Sequence, residues 1–335
     1  MNVALVGPQG SGKTTLFSAL TGGRDADGVG MVDVPDDRLL QLADAVQPKR
    51  IVAAQVRLID APAGSPAQRI AAAREADVVL KVVRGFGPEP DPAGDLEGIQ
   101  LDMVLTDLAT VERRLELLAR EVRGGRKGGV AELATLELAK RHLDEGRGLD
   151  TLVLDEESRH HLDPLFAVTR KPSVVVVNVD DRLLPDGGES GQRARAVAET
   201  RGIRCLVIGA QLELELAALT PADADQMRQS YGLTQSSLGA VARAVWQVGG
   251  LITFFTAGEP EVRAWPCEDH AAAPAAAGVI HSDFERSFIR AEVTSVEELV
   301  AAGSMEALRS QGKLRVEGKE YRVVDGDVVF FRVGR

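Results

Sequence analysis

Residues 7–14, Gly-Pro-Gln-Gly-Ser-Gly-Lys-Thr, are the stretch whose types and spacing most clearly suggest chemistry. They match G-x-x-x-x-G-K-[ST], in which glycines let backbone N–H groups surround a phosphate chain. Lys13 is expected to reach the β- and γ-phosphates and Thr14 to ligate Mg²⁺, and both are predicted to be catalytic. The pattern predicts a site for a nucleoside triphosphate with Mg²⁺. Its predicted nucleotide contacts are Gln9, Gly10, Ser11, Gly12, Lys13, Thr14 and Thr15.

The segments on either side of this loop provide the context that the motif requires. Residues 2–6 are rich in β-branched side chains and predict a buried parallel strand, while Leu16 and Leu20 lie one helical turn apart. A helix that begins directly behind the loop adds free N–H groups and the positive end of its dipole to an anion site. This order favours a nucleotide site over a glycine-rich turn without a ligand.

Asp60 is the second candidate metal ligand. It ends the apolar segment 51–59, which predicts a strand. An aspartate in this position holds Mg²⁺ through water in nucleotidases. A turn or helix N-cap role is the alternative, because Ala-Pro-Ala-Gly after Asp60 puts glycine one place late. The usual second hydroxyl ligand of a switch-type nucleotidase is a threonine, and residues 22–31 contain none.

Composition limits the class of protein. A length of 335 residues allows two or three domains, and 44% hydrophobic with 27% charged residues is typical of a globular chain. A net charge of −11 argues against indiscriminate coating of nucleic acid. Cys205 and Cys267 lie far apart and predict no disulfide framework. Without a signal peptide or an apolar run of about 20 residues, a cytoplasmic protein is expected.

The remaining pattern alternates strands with helices, which predicts an α/β fold with a mainly parallel sheet. Residues 22–30 and 84–98 are interpreted as connections, and after residue 251 short strands with one helix near 296–308 predict a separate α+β module. Further strands are predicted at 77–83, 172–177, 205–208, 313–318, 319–324 and 327–333. Helices are predicted at 35–46, 65–76, 155–166, 192–201, 213–218, 221–231 and 238–248.

Residues 99–145 predict two amphipathic helices joined by a glycine-rich turn, which together form an antiparallel hairpin. The first helix has a coiled-coil seam with two heptad positions: Leu101, Leu108, Leu115 and Val122, and Val104, Val111 and Leu118. Its tip is basic, with Arg113, Arg114, Arg120, Arg123, Arg126 and Lys127 against Glu116 and Glu121. Either this is a solvated charged surface or it contacts RNA or a ribosome.

Longer stretches resemble the YchF/Obg-like ATPase family over nearly the whole chain. They include VPDDRLLQLADAVQPKRIVAAQVRLID (34–60), VVRGF (82–86), LTDLATVERRLELL (105–118), NVDD (178–181), LITFFTAGEPEVRAW (251–265) and AAGVIHSDFERSFIRAEV (276–293). The resemblance implies a P-loop domain at 1–98 and 148–250, an inserted hairpin at 99–147 and a β-grasp, TGS-like domain at 251–335. It also implies association with ribosomes and hydrolysis of ATP in preference to GTP.

The same resemblance places the base of the nucleotide at Asn178, Val179, Asp181, Ala210 and Gln211. Guanine sites use N-K-x-D, whose carboxylate accepts hydrogen bonds from guanine N1 and N2, and adenine lacks these donors. Val179 replaces the lysine, as in the family, and is expected to cover a purine face. Gln211 stands where GTPases usually have lysine, whereas Asp181 is the residue of a GTPase at a position where the family usually has Glu. ATP is therefore favoured over GTP without being the only candidate.

The chain departs from the family pattern in three places. The segment that carries the first-switch threonine is shortened to GRDADGVG, the D-x-A-G-L-V turn becomes DAPAGSP, and Gly10 stands where the family has Asn. Gln68 is then the remaining candidate near Asp60 for positioning water. We therefore expect a slow ATPase acting as a switch on the translation machinery. The alternative is a pseudo-nucleotidase that binds nucleotide and docks a protein or RNA; a metabolic kinase is disfavoured because no lid or acceptor site is evident.

Overall fold

The structure, a computed structural model, describes residues 1–60, 70, 72–124 and 129–334. The chain divides into two compact units, Met1–Met31 with Arg57–Val241 and Val32–Val56 with Ala242–Arg335. The sequence placed residues 32–56 in the nucleotide-binding domain, whereas in the structure they belong to the unit that contains the C-terminal residues. The fold class predicted from sequence, α/β with a C-terminal α+β part, is confirmed.

The strands that carry the predicted site form one sheet. Within the described residues it has seven strands in the order β2-β3-β5-β1-β6-β7-β8. The pairs of β1 with β5 and β6, of β6 with β7 and of β7 with β8 are parallel. Carboxyl ends of parallel strands meet at one edge of a sheet, where ligands of α/β proteins bind. The strands are β1 (Asn2–Val6), β2 (Asp25–Ala26), β3 (Val29–Val34), β4 (Ile51–Val52), β5 (Ala54–Asp60), β6 (Val78–Gly85), β7 (Ser173–Val179) and β8 (Arg204–Ile208).

The helices described before residue 250 follow the order predicted from sequence, but their first and last residues differ from the predicted ones. They are α1 (Lys13–Thr21), α2 (Asp37–Val46), α3 (Pro92–Arg123), α4 (Gly129–Asp144), α5 (Glu156–Leu162), α6 (Gly188–Thr200), α7 (Ala210–Leu216), α8 (Pro221–Ser230) and α9 (Ser237–Val248). The first unit buries valines on both faces of β6 and β7, and those of one face lie in an aliphatic core with residues of α3 and α6. The valine-rich runs 78–83 and 174–177 are continuous because helices cover both faces of a parallel sheet.

Two predicted connections contain regular structure. Residues 22–30, expected to be a linker, include the antiparallel pair β2–β3, whose turn residues Asp27 and Gly28 both have positive φ, 53° and 72°. Asp-Gly at a two-residue turn is the composition that this geometry favours. Helix α3 begins at Pro92, seven residues before the predicted start, because Asp91 accepts a hydrogen bond from the Gly94 N–H (3.1 Å) and proline suits the first helical position.

The predicted hairpin is present as α3 and α4. Val104, Val111 and Leu118 are buried against residues of α4, as the heptad pattern indicates. The pattern also predicted that Leu101 lies in the seam, and this was wrong, since Leu101 is 52% exposed. In the part of α3 near Leu101, the helix packs on the sheet through Leu96, Ile99 and Met103, which lie on a different face of the helix.

Some predictions fall on residues that the structure does not describe. Arg126 and Lys127 of the hairpin tip, the DAPAGSP residues after Asp60, and Gln68 all lie outside the described residues. Most of the helix predicted at 65–76 does as well; its last part, Ala72–Glu75, is a short 3₁₀ helix. The predicted strand at 51–59 is divided into β4 and β5, which belong to different sheets.

The second unit contains a sheet with the order β12-β11-β13-β9-β10-β4 in the described residues. Its strands besides β4 are β9 (Leu251–Ala257), β10 (Val262–Glu268), β11 (Phe288–Ser295), β12 (Arg315–Glu317) and β13 (Asp327–Val333). Its C-terminal helices are α10 (Ala273–Ile280), α11 (Ser282–Arg286), α12 (Val296–Ala302) and α13 (Met305–Ser310). The phenylalanines Phe254, Phe288 and Phe331 meet in its core, with ring centroids 5.9 and 6.1 Å apart.

Two predictions for this unit were wrong, and two helices were missed. The helix expected near 296–308 is interrupted at Gly303 (φ 77°), which ends α12 in the left-handed conformation. Residues 319–324 form no strand, and only Arg322 makes an isolated bridge, to Ala272. Helices α10 and α11 were not predicted. No helix in the described parts of the chain combines the length and apolar composition needed to cross a membrane.

Candidate nucleotide-binding site

The loop after β1 has the backbone that a phosphate-binding loop needs. Gly10 and Gly12 have φ of 77° and 83°, the left-handed region that favours glycine. Gly7 is required for a different reason, because a Cβ there would lie 2.2 Å from the Val82 carbonyl oxygen. Gly12 caps α1 without a side-chain hydrogen bond, so the first-turn N–H groups of the helix face the loop. The loop therefore offers backbone donors to an anion.

Lys13 lies within this loop. Its ammonium donates hydrogen bonds to the carbonyl oxygens of Gly7 (3.0 Å) and Pro8 (2.8 Å). The positive charge is thereby held at the centre of the loop, close to where phosphate oxygens would sit. This is the position that the motif predicts for the lysine.

Thr14 and Asp60, the two predicted metal ligands, are in direct contact. The Thr14 hydroxyl donates to Asp60 Oδ2 at 3.1 Å, although the residues lie on α1 and at the end of β5. Their proximity follows from the register of the parallel pair, in which Leu5 of β1 lies beside Asp60. A hydroxyl and a carboxylate are hard oxygen donors, and Mg²⁺ is held in such sites by one or two protein groups together with substrate phosphates. The residues present therefore fit a Mg²⁺ ion.

The turn between β2 and β3 lies against Asp60. The Asp60 N–H donates to the Gly28 carbonyl at 2.9 Å, and a Cβ at position 28 would be 2.9 Å from the Asp60 carbonyl oxygen. The shortened first-switch segment is thus a tight hairpin fixed beside the candidate metal ligand. It brings a glycine, with no hydroxyl, to this place.

Asn178 connects the phosphate loop to the loop after β8. Its amide nitrogen donates to the Ser11 carbonyl (3.1 Å), and its amide oxygen accepts from the Ala210 N–H (3.0 Å). Contact with Gly12 is so close that a Cβ there would meet Asn178 Nδ2 at 2.1 Å. Asn178 and Ala210 are buried. Both were predicted to bind nucleotide, and the structure gives them hydrogen bonds that join three loops at one edge of the sheet.

The other predicted base contacts are placed differently from one another. Val179 is 4% exposed and packs in the aliphatic core, so little of its side chain is available to a base. Gln211 is exposed, and its side-chain amide donates to Glu215 one turn along α7 (2.8 Å). Asp181 is exposed at the end of β7 and accepts hydrogen bonds from the Arg182 N–H and the Tyr231 hydroxyl, both at 3.1 Å.

Sequence reasoning missed two residues at this edge of the sheet. Tyr231, directly after α8, reaches Asp181 across 50 residues of sequence, and no local signal points to it. The hydrogen bond to Asp181 raises the pKa of Tyr231 above its ordinary value. Phe86, after β6, has a ring carbon 3.7 Å from where a Cβ of residue 12 would lie. The stretch VVRGF around Phe86 contributes to the family resemblance, but no sequence pattern assigns Phe86 a role.

Comparisons with known proteins agree with this architecture. Residues 251–334 match the family model described as YchF-GTPase_C, protein of unknown function (DUF933). The chain is 34% identical to a protein of Bacillus subtilis strain 168 named ribosome-binding ATPase YchF, over 361 positions that cover 99% of both chains. The protein of the same name from Escherichia coli O157:H7 is also 34% identical, over 98% of this chain and 97% of the relative. This chain belongs to the YchF family.

A solved structure supports the family assignment at the level of the fold. The YchF GTPase of Schizosaccharomyces pombe superposes with a TM-score of 0.89 and 25% identity, covering 99% of this chain and 97% of that one. The resemblance stated from sequence is therefore confirmed. The B. subtilis alignment spans 361 positions although this chain has 335 residues, so the relative has residues without a counterpart here. Such a difference is what the shortened switch segments lead us to expect.

Proposed function

We propose that this YchF-family protein is a Mg²⁺-dependent nucleoside triphosphatase that hydrolyses ATP slowly and acts as a ribosome-associated switch. The observation that carries the proposal is the contact of Thr14 with Asp60 (3.1 Å) directly behind a glycine loop that encloses Lys13. A hydroxyl, a carboxylate and an ammonium are thus grouped at one helix N-terminus. This set suits a triphosphate with its metal ion.

The chain's own groups have distinct roles in the proposed reaction. A phosphate oxygen entering the loop offers the Lys13 ammonium a charged acceptor in place of two neutral carbonyls, and charge-assisted hydrogen bonds are the stronger ones. The N–H groups at the start of α1 bind the same anion. Thr14 and Asp60 would hold Mg²⁺, which supplies neutralisation of the developing phosphate charge. Binding and orientation of the triphosphate therefore rest on residues 7–14 and Asp60.

Hydrolysis is proposed to be slow because of the β2–β3 turn beside Asp60. Gly28 occupies the turn that faces this carboxylate, and it has no hydroxyl with which to sense the metal or the γ-phosphate. The same observation favours a second candidate function, a pseudo-nucleotidase that binds nucleotide and serves as a docking scaffold. The two candidates make opposite predictions for turnover.

ATP is the proposed substrate, with GTP as the competitor. The bacterial relatives are named as ATPases, whereas the S. pombe structure is named as a GTPase. Adenine lacks the N1–H and N2–H donors for which an aspartate is the matching acceptor. In this chain Asp181 already accepts two hydrogen bonds from the protein.

The proposed partner is the ribosome, in line with the name of the bacterial relatives, and the proposed location is therefore the cytoplasm. The hairpin offers the exposed cations Arg113, Arg120 and Arg123. Arg114 is less available, because Glu132 of α4 accepts a hydrogen bond from it at 2.8 Å. The TGS-like residues 251–335 are the second proposed contact element, and a membrane or a specific DNA sequence is not a proposed partner.

Single-turnover hydrolysis of ATP and GTP with Mg²⁺ tests the enzymatic part. We expect Lys13→Ala to lower the rate at least tenfold, since it removes the only side-chain cation of the loop. Lys319→Ala is the matched control, because Lys319 is an exposed lysine of the second unit and should leave the rate unchanged. A folded wild-type protein that is no faster than Lys13→Ala, yet binds ATP, would identify the pseudo-nucleotidase instead.

Sedimentation with purified ribosomes tests the partner. Binding that depends on whether ATP is present is the result expected of a switch. Binding that is identical with and without nucleotide would contradict the switch and leave a constitutive ribosome-binding protein. Replacing the three exposed hairpin arginines by serine should reduce sedimentation if the hairpin is the contact.

A further inference from the structure

We infer that Tyr231 is a specificity-determining residue of the base site, because its hydroxyl donates a hydrogen bond to the Asp181 carboxylate for which guanine would compete. The inference rests on the proposed nucleotide-binding function and adds to it a residue that the family motifs do not contain. Tyr231 and Asp181 both belong to the first unit, as do the phosphate loop and Asn178.

The geometry places Asp181 on the nucleotide side of the sheet. Asp181 follows β7 by two residues, and Asn178 of the same strand hydrogen-bonds the Ser11 carbonyl and the Ala210 N–H. The carboxylate is thus at the edge where the phosphate loop and the loop after β8 meet. A base attached to a nucleotide held by residues 7–14 would extend along this edge.

The two oxygens of this carboxylate are already engaged. Oδ1 accepts from the Arg182 N–H and Oδ2 from the Tyr231 hydroxyl, each at 3.1 Å. The ring of Tyr231 is partly buried in a small apolar cluster with Leu212, Leu216 and Ala224, which fixes its direction. The hydroxyl is therefore delivered to Asp181 by a packed side chain.

The chemistry of the two bases explains why this contact discriminates. Guanine binds an aspartate through a fork of N1–H and N2–H, which needs both carboxylate oxygens at once. Tyr231 competes with one arm of that fork. Adenine carries an unprotonated N1, whose lone pair a bare carboxylate would repel, and a carboxylate that already accepts a phenol hydrogen repels it less. The Tyr231–Asp181 pair therefore shifts the preference of the site from GTP toward ATP.

The test is equilibrium titration with fluorescently labelled ATP and GTP, with Mg²⁺, on the full-length protein. We expect Tyr231→Phe to tighten GTP binding relative to ATP by about fivefold, the factor that corresponds to one net hydrogen bond. The phenyl ring preserves the apolar packing, so folding is retained. The matched control is Tyr321→Phe, which removes the only other tyrosine hydroxyl of the chain, one that donates to Asp327 (2.7 Å) in the second unit.

Asp181→Ala provides the second arm. In that background Tyr231→Phe should no longer change the GTP-to-ATP ratio, because the acceptor that couples the two residues has been replaced. A ratio that Tyr231→Phe leaves unchanged, or shifts toward ATP, in a protein that binds nucleotide would overturn the role of Tyr231 alone. A wild-type protein that binds neither nucleotide would instead overturn the proposed function.

Discussion

Lys81 on β6 is a buried cation whose removal should stabilise the first unit. It is 2% exposed, and its ammonium donates a long hydrogen bond, 3.4 Å, to Gln100. The pKa of Lys81 is lowered from 10.5 to about 8, chiefly by burial and then by the charge of Arg201, while Asp150 opposes the shift. A folded-state pKa below the unfolded value means that the charged form destabilises the fold.

The size of this effect follows from the two pKa values. Between pH 8 and 10.5 the unfolded chain binds more protons at this site, so the free energy of unfolding rises with pH across that window. The penalty is about 3 kcal/mol at pH 7 and about 1.4 kcal/mol at pH 9.5. Lys81→Met keeps an unbranched chain and removes the charge. It should raise the free energy of unfolding by these amounts at the two pH values.

The two cysteines allow this unfolding to be measured in each unit separately. Cys205 lies on β8, two strands from Lys81 in the same register, and Cys267 is buried in the second unit. Burial raises the pKa of the Cys205 thiol to about 11 and that of Cys267 to about 12, which keeps both unreactive in the folded protein. Labelling with iodoacetamide along a urea gradient, read by peptide mass spectrometry, then reports exposure of each thiol.

At a given pH the thiols react in the same way in the wild type and in Lys81→Met. The difference between their transition midpoints therefore reports the effect of Lys81 alone. We expect the Cys205 transition of Lys81→Met to lie at higher urea, with a larger displacement at pH 7 than at pH 9.5. The Cys267 transition serves as the internal reference, and Lys319→Met, an exposed substitution, as the matched control. An equal displacement at both pH values, or a variant that unfolds earlier at pH 7, would refute the reasoning.

Three further changes test the site and the second unit. Asn178→Ala leaves two buried backbone groups without their side-chain partner, so we expect a loss of about 1–3 kcal/mol in stability by the Cys205 assay and weaker ATP binding by titration. Gly28→Ala puts a Cβ 2.9 Å from the Asp60 carbonyl at a φ of 72°, so Mg²⁺-dependent ATP affinity should fall while affinity without Mg²⁺ changes less. Arg38→Ala removes the ion-pair partner of Asp36 and Asp325, so the free energy of unfolding of the second unit should fall by about 1–2 kcal/mol. The Cys267 transition should therefore move to lower urea, while the Cys205 transition should not move.

Local sequence was sufficient to predict the elements whose conformation is set by residues within the same short segment. The strand 2–6, the glycine loop and the helix after it were predicted because motif spacing and side-chain periodicity act within a few residues. The seam residues Val104, Val111 and Leu118 were predicted for the same reason. Leu101 was wrong because the heptad pattern continues past the point where α3 changes its packing partner from α4 to the sheet.

Errors also arose where capping or turn chemistry competed with composition. Residues 84–98 look like a loop because they are rich in proline and glycine, yet Pro92 begins a helix once Asp91 caps it. Residues 22–30 look like a linker, yet Asp27 and Gly28 have the conformations of a two-residue hairpin turn. In both places the residues that suggested irregular structure are those that end or begin a regular element.

The sequence by itself determined the glycine loop, the candidate metal ligands Thr14 and Asp60, and the parallel sheet, because those follow from residues close together or from strand order. Tertiary structure decided which groups meet. Asn178 reaches Ser11 across 167 residues and Tyr231 reaches Asp181 across 50, and residues 32–56 join the C-terminal unit. Such contacts depend on how strands are ordered and how helices are packed. The periodicity of hydrophobic residues indicates that a side chain is buried but not which residues it contacts.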